Sequence, residues 1–213
     1  MSFIPDLSII LQFALTTAII TLTPGPDMTL FVGRALSSGR AAGFACFFGA
    51  TTGILIHTTL VALGLSALIV AAPAAFFALK IAGAGYLLWL AFNALRNGSA
   101  FSPGNEKGPE RSLFRHWATG LGINLLNPKI VIFFMTFLPQ FVSAGDPGAS
   151  GKLFFLGLLF IVIAIPMTIP MIVAADSFAG LLKKSPKVTR IIDYLFAGIF
   201  SAFAVKILLT EAK

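Results

Sequence analysis

Long apolar runs separated by short polar gaps dominate this chain, and the pattern indicates membrane-spanning helices. A helix rises about 1.5 Å per residue, so about 20 apolar residues cross a hydrocarbon core of about 30 Å. Six runs are long enough, and each is predicted to be a helix with ends placed to within a few residues. The predicted spans are 8–32, 41–69, 74–95, 113–141, 153–175 and 191–209.

Lysine and arginine residues cluster in alternate gaps, which predicts the orientation of the spans. Ten of them lie near the gaps after spans one, three and five, whereas Lys152 and Lys213 lie on the opposite side. Because positive residues mark the cytoplasmic side, both termini are predicted to lie outside the cytoplasm. The ten residues are Arg34, Arg40, Arg96, Lys107, Arg111, Arg115, Lys183, Lys184, Lys187 and Arg190.

The polar gap between spans three and four divides the chain into halves. It contains Pro-Gly-Asn-Glu-Lys-Gly-Pro at 103–109, a composition typical of a flexible linker. We predict a first three-helix repeat at 1–95, a cytoplasmic linker at 96–112 and a second repeat at 113–213. Since each half has an odd number of spans, any repeat between the halves is inverted. The predicted fold is an all-α integral membrane protein with six transmembrane helices in two inverted three-helix repeats.

Each half begins with a span that proline interrupts beside a charged residue. The first interruption reads Thr-Pro-Gly-Pro-Asp at 23–27, and the second reads Asn-Leu-Leu-Asn-Pro-Lys at 124–129. When the sequences of the two halves are aligned by a shift of 102 residues, Asp27 aligns with Lys129. Proline removes a backbone donor and clashes with the carbonyl four residues back, so the first helix should open for about one turn.

Such breaks are typical of a substrate site. Unpaired backbone groups in a bilayer cost several kcal/mol each unless protein, water or ligand pairs with them, so broken helices line cavities. Their exposed ends carry partial charges of opposite sign, which suit the two ends of a zwitterion. The predicted substrate-binding residues are Thr23, Pro24, Gly25, Pro26, Asp27, Asn124, Asn127, Pro128 and Lys129.

Asp27 and Lys129 are charges placed inside apolar runs, where each costs about 3 kcal/mol on insertion scales. Acids inside membranes are functional by default, so Asp27 is predicted to be the proton-coupling group. Two arrangements stay open: the two side chains pair directly, or each faces one end of the substrate. The structural alternatives are a buried salt bridge that orients the helices and a Lys129 side chain that extends toward the interface.

Small residues recur every four positions along span two, at Ala41, Ala45, Gly49 and Gly53, and His57 continues the same line. Small side chains let membrane helices approach closely. His57 is therefore expected to face protein, and a packing role is favoured over a proton relay. Membrane threonines on this span are expected to bond to their own helix backbone.

Composition narrows the class of protein further. Hydrophobic residues form 57% and charged residues 11% of the 213 positions, against about 25% charged in a soluble domain, so a water-soluble enzyme is excluded. The net charge of +7 lies in the gaps and is explained by topology rather than by nucleic acid. A single cysteine, Cys46, excludes a thiol relay, and with two histidines leaves little for a metal site. Nucleotide-binding and hydrolase motifs are absent, so we expect neither enzyme activity nor a cofactor.

The two interruptions, together with Lys-Ile-Ala-Gly-Ala-Gly-Tyr-Leu-Leu-Trp-Leu at 80–90, resemble the LysE/RhtB superfamily of bacterial amino-acid exporters. The resemblance covers essentially the whole chain and is closer to the RhtB branch, which exports homoserine, threonine, leucine and similar amino acids. Exporters of lysine and arginine carry Gln-Asn where this chain has Asp27-Met28, and His where it has Lys129. Both departures argue against a basic substrate.

The resemblance and the breaks together predict a secondary active exporter of neutral or hydrophobic L-amino acids, driven by protons through Asp27. Its location is expected to be the bacterial cytoplasmic (inner) membrane, with several spans. The predicted partners are the amino acid, protons and membrane lipid, without nucleic acid, and homo-oligomerisation stays open. The alternatives are a cadmium-type metal-ion exporter and a basic amino-acid exporter. A non-transporting scaffold does not account for two charges at matching breaks.

Overall fold

The structure is a computed structural model that describes three continuous segments of the chain, residues 3–65, 112–143 and 146–177. Most of the predicted spans 74–95 and 191–209 lies outside the described residues, as does most of the linker at 96–112. Isolated helical positions are also described, namely 81, 85, 88, 89, 92, 96, 187, 190, 191, 194, 195, 197, 198, 201, 202 and 205.

The three continuous segments form helices joined by very short connections. The α-helices are α1 (Leu7–Leu22), α2 (Pro26–Ser38), α3 (Arg40–Leu60), α4 (Leu113–Leu126), α5 (Pro128–Ile132) and α6 (Ala149–Val173). A π-helical turn, Val61–Leu65, continues α3. A second π-helical turn, Phe133–Phe137, and a 3-10 turn, Leu138–Phe141, continue α5.

Two of these helices, Arg40–Gly64 and Ala149–Val173, are each long and apolar enough to cross a membrane. Two further pairs pass the same test only together: α1 with α2, bent by 51°, and α4 with Lys129–Phe141, bent by 56°. The described residues therefore provide two candidate spans, or four if each bent pair is one span. Their positions agree with four of the predicted spans, and both bends fall at the predicted proline interruptions.

One gap is shorter than the sequence predicted. Residues 33–40 were expected to separate the first two spans, but Arg34 lies within α2 and Arg40 begins α3. Gly39 alone lies between the two helices, with a φ of 88°. Glycine adopts this left-handed conformation without the steric cost of a side chain, so one residue suffices to reverse the chain.

Phenylalanine rings fill the core beside the second bend. The rings of Phe133 and Phe137 are 4.9 Å apart, and Phe133 also contacts Phe13 of α1 and Phe160 of α6 at 6.0 and 5.4 Å. All four side chains are buried. This cluster packs α1 and α6 against the turn that follows α5, and it therefore fixes the position of the second break.

Glycines bring α3 and α4 into backbone contact. A Cβ atom at Gly49 would collide with the carbonyl of Trp117, and one at Gly120 would collide with the carbonyl of Cys46. The expectation that small residues on α3 allow close helix packing is confirmed at Gly49 and Gly53, whereas Ala41 is exposed. The close contact places the end of α4 beside the middle of α3.

Candidate functional site

The first break leaves backbone carbonyls of α1 without helical donors. Thr23 closes the helix, because its amide N and its Oγ1 both donate to the carbonyl of Ile19, at 2.9 and 2.7 Å. The next residue, Pro24, has no N–H to offer the carbonyl of Ile20 four residues earlier. The motif at 23–27 thus exposes an acceptor at the C-terminal end of a helix, where partial negative charge collects.

Asn127 forms the second break by serving as the last cap of α4 and the first cap of α5. Its amide N donates to the carbonyl of Asn124 at 3.1 Å, and its Oδ1 accepts from the amide N of Lys129 at 3.1 Å. Pro128 then occupies the first position of α5, where a missing N–H leaves no acceptor unpaired. The Asn-Pro-Lys sequence therefore ends α4 and starts α5, with Asn127 as the one residue between the two helices.

Asp27 lies in the first turn of α2 and is held by the opposite half of the chain. Its Oδ2 accepts a hydrogen bond of 2.7 Å from Nδ2 of Asn124, at the end of α4. Its Oδ1 is buried and has no hydrogen-bond partner among the described residues. A Cβ at Gly53 would collide with Oδ1 of Asn124, so glycine on α3 makes the room that this amide occupies.

Lys129 reaches in the other direction, from α5 to the end of α1. Its Nζ donates to the carbonyls of Ile20 and Thr23, at 3.2 and 2.9 Å. These are acceptors at the first break, including the one that Pro24 leaves without a donor. A Cβ at Gly25 would lie 2.8 Å from Nζ of Lys129, so the ammonium group can approach only because residue 25 is glycine.

The arrangement answers the question that the sequence left open about the two charges. Within the described segments, Asp27 and Lys129 form no direct salt bridge. Each charge is held instead by the broken helix of the opposite half, Asp27 by a side-chain amide and Lys129 by backbone carbonyls. The two charges therefore face the same space without cancelling each other by contact.

That space is a cavity of about 50 Å³ between the two breaks, α3 and α6. A single water needs about 10–15 Å³ by the same measure, so the cavity holds several water-sized groups. Its polar wall consists of Asp27, Asn124 and Lys129, with hydroxyl-bearing Thr21, Thr51 and Thr168. Its apolar wall is formed by Ile20, Met28, Phe31, Val32, Phe47, Ala50, Ile54, Ile130, Phe160, Ala164 and Met171.

The predicted site residues fall into two groups. Asp27, Asn124 and Lys129 line the cavity, whereas the others shape the breaks around it. Thr23 and Asn127 bind Lys129 through a carbonyl and a side-chain oxygen. The shaping residues are Thr23, Pro24, Gly25, Pro26, Asn127 and Pro128, of which Pro24 is buried and Pro26 is exposed.

The sequence analysis did not identify the part of the cavity wall that α6 provides. Phe160, Ala164 and Thr168 are spaced four residues apart, so they share a helix face, and that spacing was the available signal. Pro166 and Pro170 of the same helix are exposed and do not line the cavity. Because α6 is apolar on every side, its pattern does not reveal which face is covered.

His57 is buried, in agreement with the prediction from the small-residue line that it faces protein. It does not line the cavity. Its ring stacks on Phe134 with 5.8 Å between centroids, and its Nε2 has no hydrogen-bond partner among the described residues. No group of three His, Cys, Asp or Glu side chains in the described part of the chain is placed to bind a metal. The neighbouring threonines bond to their own helix backbone, as expected, at Thr51, Thr52, Thr58 and Thr59.

The chain is similar to membrane proteins of other bacteria. A homoserine/homoserine lactone efflux protein of Salmonella typhimurium is 29% identical over 188 residues, which cover 88% of this chain and 90% of the relative. A membrane protein of Vibrio cholerae without assigned function is 27% identical over 209 residues, covering 98% of this chain and 99% of the relative. No solved structure matches the chain.

The family itself is established by a sequence profile. The profile of the LysE-type translocators matches residues 18–211, which include both breaks and every residue of the cavity wall. The resemblance inferred from the motifs is therefore confirmed, and the protein is a translocator rather than an enzyme. It is a membrane protein whose relatives are bacterial. The chain belongs to the LysE-type translocator family.

Proposed function

We propose that this protein is a secondary active exporter of neutral L-amino acids, of the homoserine, threonine or leucine type, in the bacterial cytoplasmic membrane. Membership of a translocator family supports transport, and the relative named as a homoserine/homoserine lactone efflux protein supports the substrate class. The two halves predicted at 1–95 and 113–213 act as inverted repeats that open the cavity to each side in turn.

One observation carries the proposal: a single cavity contains a carboxylate and an ammonium that do not contact each other, beside an apolar wall. Lys129 is the partner for the carboxylate of a zwitterionic substrate. The apolar wall accepts a neutral side chain, because an unpaired charge buried against it would cost far more than an apolar group. A second positive charge on the substrate would also be repelled by Lys129.

Asp27 is the group that couples transport to protons. Its Oδ1 has no partner among the described residues, so it can accept a proton while Oδ2 keeps its bond to Asn124. The carboxylate therefore changes charge without losing its position on α2. Proton entry through Asp27 supplies the energy for export of the amino acid.

The test uses cells that overproduce the protein and are loaded with amino acids by feeding dipeptides. We expect faster efflux of homoserine, threonine or leucine than in cells without the protein, and loss of that efflux when an uncoupler is added. Asp27→Asn and Lys129→Gln should each lower the rate by about tenfold or more, because each removes a charged partner. Lysine efflux and cadmium tolerance are measured in the same strains.

Matched controls come from the ion pair at the start of α6. Oδ2 of Asp146 and Nζ of Lys152 are 2.6 Å apart, and neither residue lines the cavity. Asp146→Asn and Lys152→Gln change the same chemical groups and should leave efflux intact. Full proton-coupled efflux by Asp27→Asn would refute the role of Asp27. Efflux of lysine alone, or cadmium tolerance without amino-acid efflux, would refute the substrate class.

A further inference from the structure

The end of α1 binds a positive group that belongs to another helix. The carbonyl oxygens of Ile20 and Thr23, here named the carbonyl pair, accept hydrogen bonds from Nζ of Lys129 at 3.2 and 2.9 Å. No carboxylate forms a salt bridge with this ammonium within the described segments. The pair therefore binds a primary ammonium through backbone oxygens and through the partial negative charge of a helix C-terminus.

The sequence keeps these two carbonyls accessible to an ammonium group. In a continuous helix the carbonyl of Ile20 would bind the amide of residue 24, but Pro24 has no N–H. Gly25 leaves free space next to Nζ, because a Cβ there would lie 2.8 Å from it. The contact between the Lys129 ammonium and the carbonyl pair lies next to the cavity, because Ile20 and Lys129 both line it. An ammonium group that enters the cavity thus comes next to Ile20 and Lys129, two of the three residues that form this contact.

We propose that the carbonyl pair is the binding subsite for the α-ammonium of the transported amino acid, and that Lys129 fills it as a tethered substitute while the cavity is empty. This inference rests on the function proposed above. The substrate ammonium displaces Nζ of Lys129 from the two carbonyls. The displaced Lys129 ammonium then binds the substrate carboxylate, which is attached to the same carbon as the substrate ammonium.

The exchange leaves the two carbonyls and both ammonium groups paired. The carbonyl pair has an ammonium donor before and after substrate binds, and Lys129 trades two carbonyls for a carboxylate. Asp27 keeps its bond to Asn124 throughout and stays available for a proton. Because a buried polar group left unpaired is costly, the exchange avoids that cost by replacing each contact as it is broken.

The test restores the missing ammonium to a variant that lacks it. Lys129→Ala removes the tethered group, and n-propylammonium supplies the atoms that the substitution deletes. Thermal unfolding of the purified protein in detergent is followed with n-propylammonium, tetramethylammonium or sodium chloride at equal ionic strength. We expect n-propylammonium to raise the Tm of Lys129→Ala in a saturable way, with an apparent affinity about tenfold or more above that of tetramethylammonium. The wild type should show no such preference.

Two proline variants assign the effect to the carbonyl pair. In the Lys129→Ala background, Pro24→Ala restores the N–H that a continued helix would donate to the carbonyl of Ile20. Pro26→Ala restores the one for the carbonyl of Leu22, which Lys129 does not bind. Pro24→Ala should weaken the response to n-propylammonium by about tenfold. Pro26→Ala should leave it within a factor of about two.

Equal responses to n-propylammonium and tetramethylammonium, or equal effects of the two proline variants, would overturn the subsite. Should Lys129→Ala fail to fold, Lys129→Ser replaces it, because its short side chain also leaves open the space of the deleted atoms. The same preference for n-propylammonium is then expected, and its absence would equally overturn the inference. A selective response without amino-acid efflux would refute the proposed function alone, whereas efflux without a selective response would refute the subsite alone.

Discussion

Single atoms decide how the two cavity charges are held. Asp27 has one amide partner and one oxygen without a partner among the described residues, and Lys129 has two carbonyl partners. Because these contacts come from different parts of the chain, a substitution beside one charge need not disturb the other. Gly25 lies beside Lys129 and Thr168 lines the cavity from α6, so substitutions at these two positions test the held charge and the cavity wall separately.

Gly25→Ala should displace Lys129 without unfolding the protein. The new Cβ would lie 2.8 Å from Nζ, and the flexible end of the side chain can move away. We expect efflux to fall by about tenfold, because a charged hydrogen bond is lost. The free energy of unfolding should fall by about 1–2 kcal/mol, because the lost charged hydrogen bond outweighs the gain from restricting the unfolded chain. Gly64→Ala, whose Cβ would meet nothing within 4 Å, is the control for efflux and Tm.

Thr168→Val should change which amino acid is preferred. Thr168 is buried in α6 and lines the cavity, and valine keeps its shape but removes its hydroxyl. We expect the ratio of threonine to leucine efflux to fall about three- to tenfold, the range for one neutral hydrogen bond. Thr52→Val is the control, because Thr52 bonds to the carbonyl of Phe48 and does not line the cavity. An unchanged ratio would show that this hydroxyl does not contact the substrate.

At the level of helices, the breaks were predictable and their partners were not. Proline stops a helix for a local reason, so the motifs at 23–27 and 124–129 were sufficient to predict both interruptions. The partners of the freed groups come from far along the chain: Asp27 binds a residue 97 positions away, and Lys129 binds carbonyls 106 and 109 positions away. The packing of the helices, including the close contact of α3 with α4, brings these groups together.

Two glycines on α4 test that packing. A Cβ at Gly120 would collide with the backbone of Cys46, which cannot move aside, whereas one at Gly122 would meet nothing within 4 Å. We expect Gly120→Ala to destabilise the protein by about 1–3 kcal/mol through overpacking. Gly122→Ala should stabilise it by about 0.5–1 kcal/mol, since alanine favours a helix. Unfolding in detergent measures both, and equal effects would contradict the close contact.

The start of α6 is stabilised by Asp146, outside the membrane-spanning helices. Its carboxylate accepts from Nζ of Lys152 at 2.6 Å and from the amide of Gly148 at 2.7 Å, and these bonds lower the pKa of Asp146 from its ordinary value of 3.8. A lowered pKa in the folded state adds stability above pH 3.8, which is lost as pH falls through the lowered value. Asp146→Asn should therefore reduce the Tm at pH 7 and have progressively less effect below pH 3.8. A pH-independent difference would contradict this assignment.

For the whole molecule, apolar length predicted where the chain spans the membrane but not how the helices face one another. The described helices fall at four of the six predicted spans, because span length depends only on composition along the chain. The cavity wall depends on which side of each helix is covered. For α6, which is apolar all round, that choice is made by Gly157, which contacts Thr58, and by the phenylalanine cluster. The exposed prolines of α6 gave no guide to it.

The presence of Asp27 and Lys129 in one cavity has a consequence for voltage. With both groups ionised the site has no net charge, and a zwitterion adds none, so the membrane potential does no work on the loaded site as it changes sides. Protonation of Asp27 makes the site positive, and one charge crossing 100 mV is worth about 2.3 kcal/mol. An inside-negative potential should therefore accelerate efflux from proteoliposomes containing the wild type. It should not accelerate Asp27→Asn, whose site is positive in both directions, because the potential then opposes one step and assists the other. A shared acceleration would contradict this charge balance.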